Sequence, residues 1–169
     1  MIELEKTYLA KFIPNGLKNG KDMLDIYIPT ETRHPVLRIR KNGEKYEMTK
    51  KYPVKEGDAS KQHEFTIPLT KEEFEELSKS LKGKRTHKIR YNYEYHGRIA
   101  EVDVFQDLLE GLVVVDFEFE NEEDKDSFEM PDFCLIEVTQ EEFLAGGMIC
   151  GKSYEEIKEK LEKFGYKRL

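Results

Sequence analysis

Several short stretches of this chain carry like charges two residues apart around one apolar residue. Glu3 and Glu5 flank Leu4, Arg38 and Arg40 flank Ile39, and Lys88 and Arg90 flank Ile89. Glu101 and Asp103 flank Val102, and Asp116 and Glu118 flank Phe117. Thr49 with Lys51 and Glu64 with Thr66 keep the same spacing. In a β-strand, residues i and i+2 share a face. Each pair therefore puts one sign of charge on one face of its strand. An ordinary sheet with one solvated face explains any single pair. It explains the set poorly, because a solvated face usually mixes Ser, Thr and Gln with charges of both signs. A closed barrel accounts for the set better, provided its interior holds an anion and the cations that neutralise it. Guanidinium and ammonium groups grip phosphate oxygens, Arg in a bidentate fork. Carboxylates supply hard oxygen ligands for a divalent metal that bridges to phosphate.

The elements around these pairs are mostly strands. Residues 2–13 alternate and stop at Pro14-Asn15-Gly16, and residues 24–28 are cut by Pro29. Residues 36–40 and 46–51 flank Asn42-Gly43, a strong hairpin signal, and 63–69 follow. Thr70 with Glu73 has capping-box spacing, which predicts a helix from there to about Leu81, ended by Gly83. Residues 86–95 and 98–105 pair around His96-Gly97, and 111–120 form a strongly β-branched strand. An acidic helical turn over 121–128, a stop at Pro131 and a short strand at 135–139 come next. Gly146-Gly147 breaks the chain before an amphipathic helix over 153–164, which buries Tyr154, Ile157 and Leu161 and stops at Gly165. The expectation is an α+β fold: an eight-stranded antiparallel β-barrel with flanking helices, one domain over residues 1–169. The outward apolar residues would be covered by the helices near 70–81 and 153–164.

Composition narrows the function. With 169 residues, 37% charged and 11% aromatic, the chain is long and aromatic enough for one core. A formal net charge of −7 argues against nucleic acid as a general partner. No apolar run reaches membrane-spanning length, and the start MIELEKTYL has no signal-like apolar stretch. Cys134 and Cys150 form no CxxC pattern, as expected of a cytoplasmic protein. The four histidines are scattered, without metal-site spacing. The stretch from Gly146 to Ser153 contains GKS but lacks P-loop glycine spacing, so it reads as a loop and a helix start with Ser153 as cap.

In order and parity the pairs resemble the CYTH domain, the family of triphosphate tunnel metalloenzymes. Its ExExK matches Glu3-Leu4-Glu5-Lys6-Thr7, and its RxR matches Arg38-Ile39-Arg40. Its TxK points to Lys51, and its ExE to Glu64-Phe65-Thr66. Its KxR matches Lys88-Ile89-Arg90, its ExDxF matches residues 101–105, and its late ExE matches Asp116-Phe117-Glu118. The resemblance implies Mg²⁺ or Mn²⁺ held by Glu3, Glu5 and Glu118, with Asp116 and Glu64 as neighbours or second-metal ligands. It implies a triphosphate held by Arg38, Arg40, Lys51, Lys88 and Arg90. Glu3, Glu5, Arg40 and Lys88 would act nearest the reacting phosphate. The reaction implied is hydrolysis of tripolyphosphate, a nucleoside triphosphate or thiamine triphosphate. The alternatives are an adenylate cyclase and a non-catalytic nucleotide or polyphosphate binder. A homodimer is compatible with the Tyr-rich strand 91–95 and with family habit.

The departures are specific. Thr7 stands where the family has a Lys, and Lys6 has the wrong parity to replace it unless the strand bulges. Thr66 replaces a Glu, Ile136 precedes Glu137 where some members have a basic residue, and Phe133 stands for the usual Trp. Triphosphate binding is thus better supported by the residues than turnover.

Overall fold

The computed structural model describes residues 1–80 and 84–169. Eight strands form a closed antiparallel barrel: β1 (Ile2–Ala10), β2 (Lys21–Ile28), β3 (Leu37–Asn42), β4 (Lys45–Lys55), β5 (Asp58–Leu69), β6 (Arg85–Tyr95), β7 (Arg98–Phe105) and β8 (Val113–Phe119). The order is β5-β4-β3-β2-β6-β7-β8-β1, and β1 closes back on β5. Strand β1 pairs with β5 at its start, through Ile2, Glu3 and Leu4, and with a short β9 (Cys134–Glu137) at its end. Closure removes free sheet edges and fixes which residues face inward.

Turn chemistry sets the hairpins. Tyr95 pairs with Arg98 around His96-Gly97, whose φ angles of 48° and 76° are the two positive values a type I′ turn requires. The β3–β4 turn is Gly43-Glu44, one residue beyond the expected position, because Asn42 still pairs with Lys45. Strands β4 and β5 extend well past Lys51 and His63 and meet around Glu56-Gly57. Pro53 lies within β4, and the pairing accommodates it at a register shift between Pro53 and Lys55. Strand β1, by contrast, ends at Ala10, three residues short of the expected stop.

Helix α1 (Lys71–Ser80) starts with the reciprocal cap foreseen: Thr70 N donates to Glu73 Oε2 at 2.7 Å, and Glu73 N donates to Thr70 Oγ1 at 3.2 Å. The expected end at Leu81 and Gly83 lies outside the described residues. Phe74 packs on Ile26 and Ile39, so α1 covers the outer face of β2–β4 as expected. The outer faces of β1, β7 and β8 are covered differently. Phe128, Phe133 and Cys134, from the segment after the short α2 (Glu122–Ser127), seal Tyr8, Val102, Val115 and Phe117. Tyr93 and Tyr95 pack edge-on against Phe133, so the chain's own segment covers them.

The C-terminal helix α4 (Tyr154–Glu162) does not cover an outer face. Its Tyr154, Ile157 and Leu161 cluster with Leu9, Phe105 and Val114, which are inward-facing positions. Along β1, β7 and β8 the inward alternation runs from charged to apolar: Glu3, Glu5, Thr7, Leu9; Glu101, Asp103, Phe105; Glu118, Asp116, Val114. The apolar end is filled by this cluster and by Leu144 and Ile149, the latter on a short α3 (Gly146–Ile149). No helix among the described residues is long and apolar enough to cross a membrane.

Candidate functional site

The barrel encloses a cavity of about 850 Å³. Every site residue expected from the sequence lines it: Glu3, Glu5, Arg38, Arg40, Lys51, Glu64, Lys88, Arg90, Asp116 and Glu118. Thr7 also lines it, whereas Thr66 lies outside the lining and is exposed. Lys6 points outward to Glu137 at 3.8 Å, and β1 runs in unbroken register with β8 from Leu4 to Leu9. No bulge therefore carries Lys6 inside, and Thr7 holds that inward position.

The register places partners opposite one another. Asp25 faces Arg40 across β2–β3, and the pair is buried at 2% and 7% exposure. Arg40 Nε and Nη2 donate to the two Asp25 oxygens at 2.6 and 2.8 Å. Burial pushes the Asp25 carboxyl up, but the Arg40 guanidinium outweighs it and holds the group well below the usual carboxylate range. On β6–β7, Arg90 grips Asp103 in a second fork, both bonds 2.6 Å, and Lys88 donates to the same carboxylate. Arg90 also donates to Glu101 and lies 3.5 Å from Asp116. Burial would raise Asp103, yet Arg90 and Lys88 hold it down at about 2. Burial lowers Lys88, and the neighbouring Arg90 and Arg40 add to that effect.

Lys51 joins the carboxylates of β1. Its Nζ donates to Glu5 Oε2 at 2.7 Å and lies 2.5 Å from Glu3 Oε2. The Lys51 ammonium is thus the ion-pair partner of the buried Glu3 Oε2. Burial pushes Glu3 up, and Lys51 more than offsets this, so its pKa is lowered. Gln62 Nε2 donates to the other Glu5 oxygen at 2.7 Å. Thr7 Oγ1 donates to Asp116 Oδ1 at 2.7 Å. Two carboxyls are pushed the other way. Burial, with Asp103 beside it, raises Asp116 to about 6. Burial, with Glu101 and Glu3 nearby, raises Glu118 to about 7.

Arg38 differs from the other lining cations. Among the described residues no carboxylate lies within ion-pair distance of it, and its buried Nε has no hydrogen-bond partner. Its one side-chain bond is a long 3.5 Å contact from Nη1 to the Tyr27 hydroxyl. A half-buried guanidinium that faces a cavity without a carboxylate partner is a ready anion site.

Among the described residues, the wall carries thirteen Asp and Glu side chains against five Lys and Arg. Such a cavity repels a polyanion unless extra cations enter with it. The donor chemistry suits a hard divalent cation: Glu3, Glu5, Glu64, Asp116 and Glu118 offer carboxylate oxygens, and burial with neighbouring carboxylates raises Asp116 and Glu118. Among the described residues, however, no three Asp, Glu, His or Cys side chains already converge as a metal cage. Glu3 and Glu5 turn toward Lys51, and Glu64 accepts from Thr66 Oγ1 at 2.9 Å.

Asp25, Asp103 and Tyr27 were not singled out from the sequence as site residues. The signal for Asp25 and Tyr27 was present, because once β2 and β3 are paired, Asp25 falls opposite Arg40 and Tyr27 opposite Arg38. His87 lies on the outer face between Asp22 (2.7 Å) and Asp107 (2.8 Å), whereas His34 lines the cavity with its Nδ1 3.3 Å from Glu142. Ser153 caps α4, its N–H donating to Glu156 Oε2 at 2.7 Å, and Lys152 is not among the cavity residues.

A closed eight-stranded barrel with this mixed-charge interior defines the class of protein. The CYTH domain family matches residues 14–132, and the chain belongs to it. The chain is 33% identical over 142 residues to an inorganic triphosphatase of Nitrosomonas europaea, covering 83% of this chain and 91% of that protein. A crystal structure of an inorganic triphosphatase superposes with a TM-score of 0.65 at 26% identity, covering 88% of this chain and 93% of that one. A conserved hypothetical protein from Pyrococcus furiosus has the same fold, with a TM-score of 0.53 at 18% identity over 98% of this chain and 91% of its own.

Proposed function

We propose that this chain, acting as one domain, hydrolyses a small triphosphate compound with the help of a divalent metal ion, and that inorganic tripolyphosphate is the first substrate to consider. The carrying observation is the cavity wall, where five cationic side chains and a surplus of carboxylates face one enclosed space. The relative named inorganic triphosphatase supports the choice of substrate. Glu3, Glu5 and Glu118 would hold the metal, with Asp116 and Glu64 within reach as neighbours or ligands of a second ion. Mg²⁺ or Mn²⁺ in that place would supply charge neutralisation and a more acidic bound water. Arg38 takes phosphate oxygens with no carboxylate to compete. Arg40, Lys88 and Arg90 are held in place by Asp25 and Asp103, so they meet the anion with little reorganisation. Lys51 exchanges part of its contact with Glu3 and Glu5 for a phosphate oxygen, which frees those carboxylates for metal. The apolar end formed by Phe105, Val114 and Leu144 keeps water out on one side of the reacting groups.

Titration calorimetry with tripolyphosphate and Mg²⁺ tests this reading. Glu3→Gln should weaken metal-dependent binding, and Arg38→Ala or Arg40→Ala should weaken the anion, each by about tenfold or more. Unchanged affinity in Glu3→Gln and Arg40→Ala would sink it. A second reading, a binder without turnover, is favoured by one observation: Thr7 engages Asp116 where the family carries a Lys.

A further inference from the structure

Strand β5 carries a bulge beside the cavity. Its pairing with β4 passes from Pro53 opposite Gln62 to Lys55 opposite Asp58, so Ala59, Ser60 and Lys61 stand across from Val54 alone. Asp58 fixes the break locally, because its Oδ1 accepts from Ser60 N at 3.0 Å and from Ser60 Oγ at 2.7 Å. Ala59 thus has no register partner on β4, and two glutamine side chains bond its backbone instead. Gln140 Oε1 accepts from Ala59 N at 2.9 Å, and Gln62 Nε2 donates to Ala59 O at 3.0 Å. Gln140 Nε2 also donates to Asp58 Oδ1 at 3.2 Å, which ties the hairpin to the segment after β9. The same Gln62 Nε2 donates to Glu5 Oε1 at 2.7 Å, while Lys51 donates to Glu5 Oε2. The geometry points to Gln62 as a positioning residue for Glu5: Gln140 holds Ala59, Ala59 holds the Gln62 amide, and that amide sets the direction of the Glu5 carboxylate.

The inference rests on the metal-assisted reading above, in which Lys51 gives part of its contact with Glu5 to a phosphate oxygen. Gln62 is then the group that still holds Glu5. A neutral amide suits that task. It adds no charge to compete with a cation, and it occupies one of the roughly four lone-pair sites of the carboxylate. Partners that orient a ligand carboxylate are worth about 10- to 100-fold in metal affinity. A bulge is also a common device for re-aiming a side chain beside an active site. A Gln62 that served only to strap the hairpin would affect stability and leave metal affinity alone.

Two measurements on the full chain test this. In metal-free protein, nuclear magnetic resonance should show slow exchange at the Ala59 amide and at the Gln62 side-chain amide. Gln140→Leu should speed exchange at Ala59 about tenfold or more and move the Gln62 signals. Calorimetry with Mg²⁺ alone should show affinity about tenfold weaker in Gln62→Met, and Gln140→Leu added to Gln62→Met should weaken it little further, because both act through one chain of contacts. Gln140 is exposed, so Gln140→Leu gives an independent reading if Gln62→Met fails to fold. Gln62 signals that ignore Gln140→Leu overturn the proposal, as does full Mg²⁺ affinity in a folded Gln62→Met. Glu5→Gln separates this failure from that of the underlying reading. Mg²⁺ affinity lost in Glu5→Gln but kept in Gln62→Met rejects the positioning role alone, whereas affinity kept in both rejects Glu5 as a metal ligand.

Discussion

Replacing Asp25 by Asn removes one negative charge from a deeply buried ion pair of the barrel with little change in shape. Asp25 accepts two bonds from Arg40 at 2.6 and 2.8 Å, and the positive fields of Arg38 and Lys88 also fall on it. Removing one partner of a buried pair typically costs about 3–5 kcal/mol, because the other charge stays buried without compensation. Asn keeps one acceptor oxygen, so the lower figure, about 3 kcal/mol, is expected here. For a chain of this size that lowers the melting temperature by roughly 6–12 °C. The pH dependence has a defined sign. The folded pKa of Asp25 is depressed, so its contribution is present above the unfolded value of about 3.9 and is lost as pH falls through the folded value. The gap between wild type and Asp25→Asn should thus hold from neutral pH to about pH 4 and shrink below. Urea denaturation followed by circular dichroism measures it. Asp25→Asn with Arg40→Met should recover much of the loss. Tripolyphosphate should stabilise Asp25→Asn more than wild type, since Arg40 then lacks its anion. A cost below about 1 kcal/mol in a well-folded variant would refute this account of how the cations are held.

Other perturbations have equally definite outcomes. Lys51→Met leaves Glu3 and Glu5 without their ammonium, and kcat/KM for tripolyphosphate should fall by about 100-fold or more in steady-state assays. Thr7→Lys should bring an ammonium to Asp116, which Thr7 now contacts at 2.7 Å, and a large gain in hydrolysis would show that wild type has drifted from the family's chemistry. In metal-free protein, Asp116 at about 6 and Glu118 at about 7 lie above their unfolded values, so stability should fall as pH rises from about 5 through 7. Added Mg²⁺ or Mn²⁺ should flatten that slope in thermal melts. Gly146→Ala places a Cβ 1.9 Å from the Tyr27 hydroxyl, so it should cost about 1–3 kcal/mol in denaturant unfolding and weaken anion binding through Arg38.

The interior was legible because parity is a property of sequence. Once β1 carries Glu3 and Glu5 on one face, Thr7 and Leu9 must follow, and the same holds for Arg38 with Arg40 and for Lys88 with Arg90. Partners were less legible, because they depend on register between strands. Asp25 stands alone among Leu24, Ile26 and Ile28, and only its pairing with Arg40 gives it meaning. The role of the last helix was also hidden. Its apolar face at Tyr154, Ile157 and Leu161 signals burial but not against what, and it packs on inward positions at one barrel end instead of an outer face. The length of β4 and β5 was hidden too, because the pairing runs past residue 51 and through Pro53.

The most direct measurement is phosphate and pyrophosphate release from tripolyphosphate, ATP, GTP and thiamine triphosphate, each with Mg²⁺, Mn²⁺ or EDTA. The account predicts phosphate release that requires the metal and is strongest with tripolyphosphate. Pyrophosphate from ATP would contradict it in favour of a cyclase. Tight binding with no release from any substrate would contradict it in favour of a barrel that holds triphosphate without cleaving it.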